Sequence, residues 1–467
     1  MNHQTFKAYE LTHHFFKVFK NVTYKDVPIA RVLTLNFYRI FALPNYGLLE
    51  TKDNVVSEVQ TRKLYNLVFD DENVVSVQYS STKALPSKVI FSRFVDKISF
   101  DKRNGIYCDE YIKSNDERPP YVNPTLLVSA NRKAYKRVVE KVNSVLAKKS
   151  IPPVLKQQKF KDWFLSQMEH VIRLIDGLEK IFSENNIRGA VQESTLLPMN
   201  YIILFMCKQR KIPTINLQLF LNSHYQLMSM NSDYYVVFGQ KEVDRMSKYG
   251  VPQEKLIKLG NGRFDTIFTR KWMNKEQLVK KMKVPRGKII LLYAEQPVRP
   301  ATVNVRVMKA MISALSPFSK KIILLVKKHP RQPQSTFTPE LLKKFKFIKV
   351  VNENTHLYDL ISGSDCILTQ FSCVGLEAIL FNKQMISVCF FEDQPSREHS
   401  YFATHPDVTS ARDSLHLRRI VGKYISSQAY RKKIFLKQNE YRKYIYPGKV
   451  CTPDIQAFIK EKTGVKI

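Results

Sequence analysis

Residues 320–330 read KKIILLVKKHP, an apolar run of strand length that stops at two lysines, a histidine and a proline. Further on, residues 365–388, DCILTQFSCVGLEAILFNKQMISV, read as strand, turn, helix and strand. Uninterrupted apolar strands separated by helices mark a parallel sheet covered on both faces, because parallel neighbours need crossover connections. Open α/β sheets bind ligands outside the carboxyl ends of their strands. The pattern therefore sets Lys328, His329, Thr369 and Ser372 at strand mouths, where phosphorylated ligands are held.

The same rhythm extends along most of the chain. Residues 163–185 carry apolar positions at helical spacing and predict a helix. Residues 187–191 form a strand leading into Gln192, Glu193 and Ser194. A helix over 198–211 and a strand over 213–217 follow. A strand over 234–238 runs into a helix that ends at Gly250-Val251-Pro252, and a strand over 256–259 enters the turn Gly260-Asn261-Gly262-Arg263. After a charged stretch at 270–287, a second series has strands over 289–293, 322–326, 347–351, 366–369 and 385–389. Its helices include 305–315 and 356–362. Residues 412–446 read as a helical tail rich in Lys, Arg and Tyr. The first 120 residues show short β-like runs at 32–37, 74–79 and 88–91. Residues 121–149 have apolar positions at helical spacing, ended by Pro152-Pro153.

A chain of 467 residues exceeds one ordinary core, so two domains are expected. Its longest apolar runs fall short of the ~20 residues a membrane helix needs. The N-terminal stretch lacks the apolar centre and small-residue cleavage site of a signal peptide. Six scattered cysteines without a CxxC pair predict buried, reduced thiols and not a disulfide frame or zinc site. The 75 basic against 41 acidic residues give a net charge of +34, which points to a polyanionic partner. That partner is an anionic membrane face, an anionic polymer or nucleic acid; simple solvation of a lysine-rich chain is the plainer explanation.

Candidate site residues follow from these positions. His329, kept out of helical geometry by Pro330, can donate to a phosphate oxygen or carry a proton near neutral pH. Ser372 can cap the following helix and face an anion, and Glu377 lies within that helix where a carboxylate can take hydrogen bonds from ribose hydroxyls. Arg299, in the loop after strand 289–293, and Gly262 with Arg263 are candidates for a diphosphate, although neither segment matches a full dinucleotide fingerprint or a P-loop. Glu193 is a candidate base for an acceptor hydroxyl, with His224 as its rival. Each has a structural alternative: a strand-end histidine, a capping serine, a solvated glutamate, an ordinary turn. Asp70-Asp71-Glu72 reads as a hydrophilic turn and not a metal site, and Asp176-Gly177, inside a predicted helix, carries no assigned chemistry. The segment 430–446, YRKKIFLKQNEYRKYIY, fits an anionic bilayer surface or a helix packed back on its sheet.

Taken together, residues 250–265 (GVPQEKLIKLGNGRFD), 291–299 (LLYAEQPVR), 324–330 (LLVKKHP) and 368–388 resemble the GT-B glycosyltransferase superfamily. Within it they are similar to bacterial capsule polysaccharide transferases and CDP-glycerol glycerophosphotransferases. The resemblance covers about 187–388. It implies two Rossmann-like α/β domains facing across a cleft. The expected boundaries are an acceptor-side domain at 1–270, a linker at 271–287, a donor-binding domain at 288–411 and a helical tail at 412–467. It further implies a phosphate contact for His329, donor binding by Thr369, Ser372 and Glu377, and catalysis without a metal or other cofactor. The partners implied are a nucleotide-activated sugar or polyol donor and a glycan or lipid-linked acceptor. The expected location is cytoplasmic, at the inner membrane face, with no nucleic acid bound. Two features depart from relatives. Gln218-Leu219-Phe220 stands where they often carry Gln-His-Gly, and the DSGG pattern of UDP-GlcNAc 2-epimerases is missing around Ser372. The rival readings are a non-catalytic nucleotide-sugar or glycan-binding partner of a polysaccharide synthase and a basic nucleic-acid-binding protein.

Overall fold

Fifteen strands carry the architecture of the computed structural model, which describes residues 3–42, 85–92, 100, 102–114, 121–148, 150–219, 232–248, 250–296, 301–390, 402–403 and 405–467. The chain divides into two compact units, Met1–Arg263 with Cys451–Ile467, and Phe264–Val450. Strand run 74–79, the Asp70-Asp71-Glu72 turn, His224 and Arg299 lie outside the described residues.

In the first unit a small hairpin, β1 (Thr23–Tyr24) with β2 (Val27–Pro28), precedes a seven-stranded sheet. Its strands are β3 (Ser87–Ser92), β4 (Gly105–Cys108), β5 (Tyr121–Val122), β6 (Asn186–Gln192), β7 (Thr214–Leu217), β8 (Tyr234–Val237) and β9 (Leu256–Lys258). They run parallel in the order β5-β4-β3-β6-β7-β8-β9. The sheet thus starts in its middle, grows outward one way, then returns to grow the other way from β6. The switch point lies between β3 and β6.

The second unit repeats the plan with β10 (Ile289–Ala294), β11 (Ile322–Lys327), β12 (Ile348–Val350), β13 (Cys366–Thr369), β14 (Gln384–Val388) and β15 (Thr409–Ala411). Their order is β12-β11-β10-β13-β14-β15, all parallel, with the switch between β10 and β13. Every residue of β13 and β14 is buried, as expected of strands covered by helices on both faces. Both sheets bear out the α/β fold expected from the alternating pattern.

The N-terminal region differs from its sequence reading. Residues 32–37 are helical, within Ile29–Val32 and Thr34–Phe37. A short run of β-branched and aromatic residues cannot be told from a buried helix by periodicity alone. Here tertiary packing decides, since Phe37 stacks on Phe15 of the helix His3–Phe19 at 4.2 Å, and both rings meet Phe160. That cluster rests on the long helix Gln158–Glu184. Gly177 of this helix has a specific reason to be glycine. A Cβ there would sit 2.0 Å from the Pro124 carbonyl oxygen.

Within 121–148 a short 3-10 turn at Pro124–Leu127 precedes the α-helix Arg132–Leu146, which is capped by Asn131, whose side chain accepts from the Ala134 N–H. The basic tail is also interrupted. Ser427 leaves helical geometry between Ser414–Ser426 and Gln428–Ile445, and its hydroxyl caps the second helix at the Tyr430 N–H. A further helix, Thr452–Thr463, belongs to the first unit, where Thr463 packs over Gly189 of β6. All six cysteines are free, and all but Cys373 are buried.

Candidate active site

β10, β11 and β13 end together at one edge of the second sheet. Ala294 is level with Lys327, and Tyr293 with both Val326 and Leu368. Because β10 lies between them, the mouths of β11 and β13 stand two strand spacings apart, about 10 Å. That is a span a nucleoside diphosphate can bridge. Lys328 and His329 leave the first mouth; Thr369, Ser372 and Glu377 follow from the second.

His329 is half-buried in the turn after β11. Its Nδ1 accepts the Arg331 N–H at 3.0 Å, and its carbonyl accepts the Gln332 N–H. An Nδ1 acting as acceptor leaves the proton of the neutral ring on Nε2. Burial, and then the nearby Arg331 charge, push the imidazole pKa below its ordinary value. Among the described residues Nε2 has no hydrogen-bond partner. His329 therefore presents one uncommitted N–H donor at a strand mouth.

Lys328 has a different disposition. Its ammonium forms an ion pair with Glu353 at 2.6 Å and donates to the carbonyls of Gln332 and Pro333. All three of its protons are used to hold the turn around His329, so its visible work is positioning. Thr369 is fully buried at the end of β13, and its hydroxyl has no hydrogen-bond partner among the described residues.

Ser372 sits one residue earlier than a helix cap. Its hydroxyl accepts the Val374 N–H at 3.2 Å, while Cys373 occupies the cap position of Val374–Leu380. Glu377 is 5% exposed and accepts a hydrogen bond from the Tyr358 hydroxyl at 3.3 Å. Tyr358 belongs to an aromatic group in which Trp272 stacks on His356 at 4.9 Å and meets Tyr358 edge-on.

The walls of the switch point use residues that strand reading alone did not single out. Gln296, after β10, accepts the Phe371 N–H through Oε1 and the Asn304 amide through its carbonyl. Gln370, directly after β13, donates to the Tyr293 hydroxyl at 3.0 Å and to Asn304. Burial raises the Tyr293 phenol well above its usual pKa, so it stays protonated. These buried bonds tie the loop after β10 to the loop after β13 and fix the crevice between them. Their only sequence signal is that both glutamines lie within two residues of the ends of strands at the switch point.

In the first unit, Glu193 lies at the corresponding switch point. Its carboxylate accepts hydrogen bonds from the Ser92 hydroxyl, at the end of β3, and from the Asn200 amide. Gly262 and Arg263 also belong to the first unit. Asn261 bonds the Gln218 carbonyl and Arg263 the Leu219 carbonyl, which ties the turn after β9 to the end of β7. The structure thus groups Lys328, His329, Thr369, Ser372 and Glu377 on one sheet edge and leaves Gly262, Arg263 and Glu193 outside that group. Among the described residues no three His, Cys, Asp or Glu side chains gather to hold a metal ion.

Residues 210–396 match the model of the CDP-glycerol:poly(glycerophosphate) glycerophosphotransferase family. The resemblance read from the sequence is borne out. The matching span is less than half of the chain and runs from the end of the helix Pro198–Gln209 past β14. No curated protein matches the chain.

Among solved structures, the S. aureus MnaA–UDP co-structure has 12% identity and a TM-score of 0.50, covering 82% of this chain and 98% of that one. A UDP-N-acetylglucosamine 2-epimerase has 11% identity and a TM-score of 0.50, with coverages of 82% and 97%. The wall teichoic acid polymerase TagF with CDPG has 12% identity and a TM-score of 0.46, with coverages of 87% and 93%. At such identities the likeness of the first two concerns the fold alone, and it agrees with two Rossmann-like units of the GT-B class.

Proposed function

We propose that this chain transfers a polyol phosphate, or a sugar, from a nucleotide-activated donor to a growing cell-surface polymer. The observation that carries the reading is the uncommitted Nε2–H of His329 at the carboxyl edge of a Rossmann-order sheet, inside the span that matches a glycerophosphotransferase family. With a CDP-glycerol donor, an acceptor hydroxyl attacks the phosphorus that bears the glycerol. The bond from that phosphorus to the bridging oxygen breaks, and CMP leaves. Negative charge grows on the bridging oxygen, and the His329 N–H is placed to take it up as a hydrogen-bond donor. Neutralisation by this donor and the loop N–H groups lets the step run without a metal ion. Ser372 and the N–H groups of the loop after β13 hold the remaining phosphate oxygens, and Arg299 contributes a further charge. Glu193 is the candidate base for the acceptor proton.

The charge of +34 supports a polyanionic acceptor, such as a capsule or teichoic-acid-like chain, and work at the inner face of the membrane. Among the described residues no helix is long and apolar enough to cross a membrane.

A thermal-shift screen against CDP-glycerol, UDP-, GDP- and CMP-linked sugars tests the donor assignment, because a ligand that binds the native state raises its apparent stability. Stabilisation by CDP-glycerol with CMP release on adding a glycerol phosphate acceptor is the expected result. Absence of both stabilisation and release for every donor overturns the reading.

A further inference from the structure

A cavity of about 430 Å³ opens between the β1–β2 hairpin and the helix Arg132–Leu146. Lys133, Arg137 and Lys141 line it from the helix at successive four-residue steps, and Lys25 lines it from the hairpin. Asp26 is the one carboxylate in the lining. Lys25 is matched by Asp176 at 2.6 Å, but Lys133, Arg137 and Lys141 have no salt bridge among the described residues. Like charges four apart on a helix repel one another. Three in a row, unmatched and facing one cavity, are an arrangement that an anionic occupant relieves.

The spacing adds a constraint. Four helical residues rise about 6 Å. Successive phosphates of a poly(glycerophosphate) are separated by six single bonds, roughly 6–7 Å. The neighbouring stripe, Ala134, Val138, Val142 and Val145, is buried in the core, which holds the basic ridge at fixed positions. Asn131, at the head of the ridge, is bound to the Tyr24 hydroxyl and to Asp176, so the hairpin wall is fixed as well.

We infer that this groove holds the acceptor polymer, a polyphosphodiester, with successive phosphates on Lys133, Arg137 and Lys141. The inference rests on the reading above that the acceptor is a polyanionic cell-surface polymer, narrows that polymer to a chain of glycerol phosphate, and assigns the surface that grips it away from the reacting end.

The test measures binding of a fluorescent glycerol phosphate octamer to the full chain by anisotropy over a range of salt. The triple variant Lys133→Gln, Arg137→Gln, Lys141→Gln is expected to bind at least about tenfold more weakly. The slope of log K against log salt should fall by about 2, the share of three phosphate contacts on a single strand. A control triple, Lys309→Gln, Lys343→Gln, Lys346→Gln, removes equal charge from exposed positions of the second unit and should change binding less than about threefold. Equal loss in both triples, or no loss in the first, overturns the groove. So does a first triple that keeps octamer binding but loses binding to phosphatidylglycerol vesicles, which would make the surface a membrane contact. CMP release from CDP-glycerol with a single glycerol phosphate as acceptor is measured beside it. The groove triple should retain that reaction, so loss of octamer binding and failure of the transferase reading are read separately.

Discussion

Replacing His329 by alanine removes one donor and little else. Its Nδ1 bond to the Arg331 N–H closes a local turn, and Lys328 holds that turn from the other side through Glu353, Gln332 and Pro333. The fold should therefore survive, and the loss should fall on the step in which charge grows on the leaving oxygen. Removing one preorganised donor of this kind lowers kcat about 10²–10³-fold, some 3–4 kcal/mol of barrier, with little change in KM. His329→Gln carries an N–H near the Nε2 position and should recover at least about tenfold over alanine. The pH profile supplies a second readout. Burial and Arg331 hold the imidazole pKa below 6.5, so the neutral Nε2–H form prevails at pH 6.5 and above. This residue should then give a kcat that does not fall as the pH rises from 6.5 to 8, measured as CMP release under saturating donor. Two results refute the reasoning. One is His329→Ala with more than a third of wild-type kcat. The other is a wild-type kcat that declines from pH 6 to 7.5 in a step absent from His329→Gln, because an imidazolium would then be the acting form.

Two further predictions concern the first unit. Gly177→Ala drives a Cβ to within 2.0 Å of the Pro124 carbonyl oxygen, a backbone atom that cannot swing away. Overpacking of this kind costs about 1–3 kcal/mol or more, against a gain of under about 1 kcal/mol in helix propensity, so urea denaturation should show net loss of stability. An alanine variant as stable as wild type would mean that Gln158–Glu184 and the Pro124 turn are not in contact. His13 is buried in the helix His3–Phe19 with neither ring nitrogen bonded among the described residues, and its pKa falls to about 4 through burial first and then the charges of Lys17, Arg31 and His14. Above pH 6.5 neither folded nor unfolded chain protonates it. As pH drops toward 4 the unfolded chain takes up the proton first, so stability falls across that window. The ceiling is about 3 kcal/mol, and solvent screening at this partly covered ring brings it to about half. His13→Leu should flatten the difference between denaturation midpoints at pH 7 and 4.5; an unchanged difference would rule His13 out as its source.

Much of the second unit was legible in the chain because its strands are buried on both faces. IILLYA, IILLVK, CILT and QMISV admit little besides central parallel strands, and their ends fell within a residue or so of the sequence reading. Sequence spacing likewise placed Lys328, His329, Ser372 and Glu377 beyond β11 and β13. It could not say which of their polar atoms were already occupied. Lys328 has the charge of a phosphate ligand, yet its ammonium is taken up by Glu353 and two carbonyls. Glu377 has the spacing of a ribose contact, yet it is nearly buried against Tyr358. The N-terminal region was least legible, since Val32, Leu33, Leu35 and Phe37 satisfy a strand as well as a helix until Phe15 and Phe160 are brought against them.

What the sequence by itself determined was the alternation of apolar strands with helices, and so two parallel sheets with polar residues at their carboxyl ends. That information is local: it lies in runs of a few residues whose burial is dictated by hydrophobicity. Tertiary structure alone decided that β10 lies between β11 and β13, that Gln296 and Gln370 lock the two loops together, and that Nε2 of His329 is left with a proton and no partner among the described residues. Those outcomes depend on strand order and on pairings between residues far apart in the chain, which no local pattern encodes.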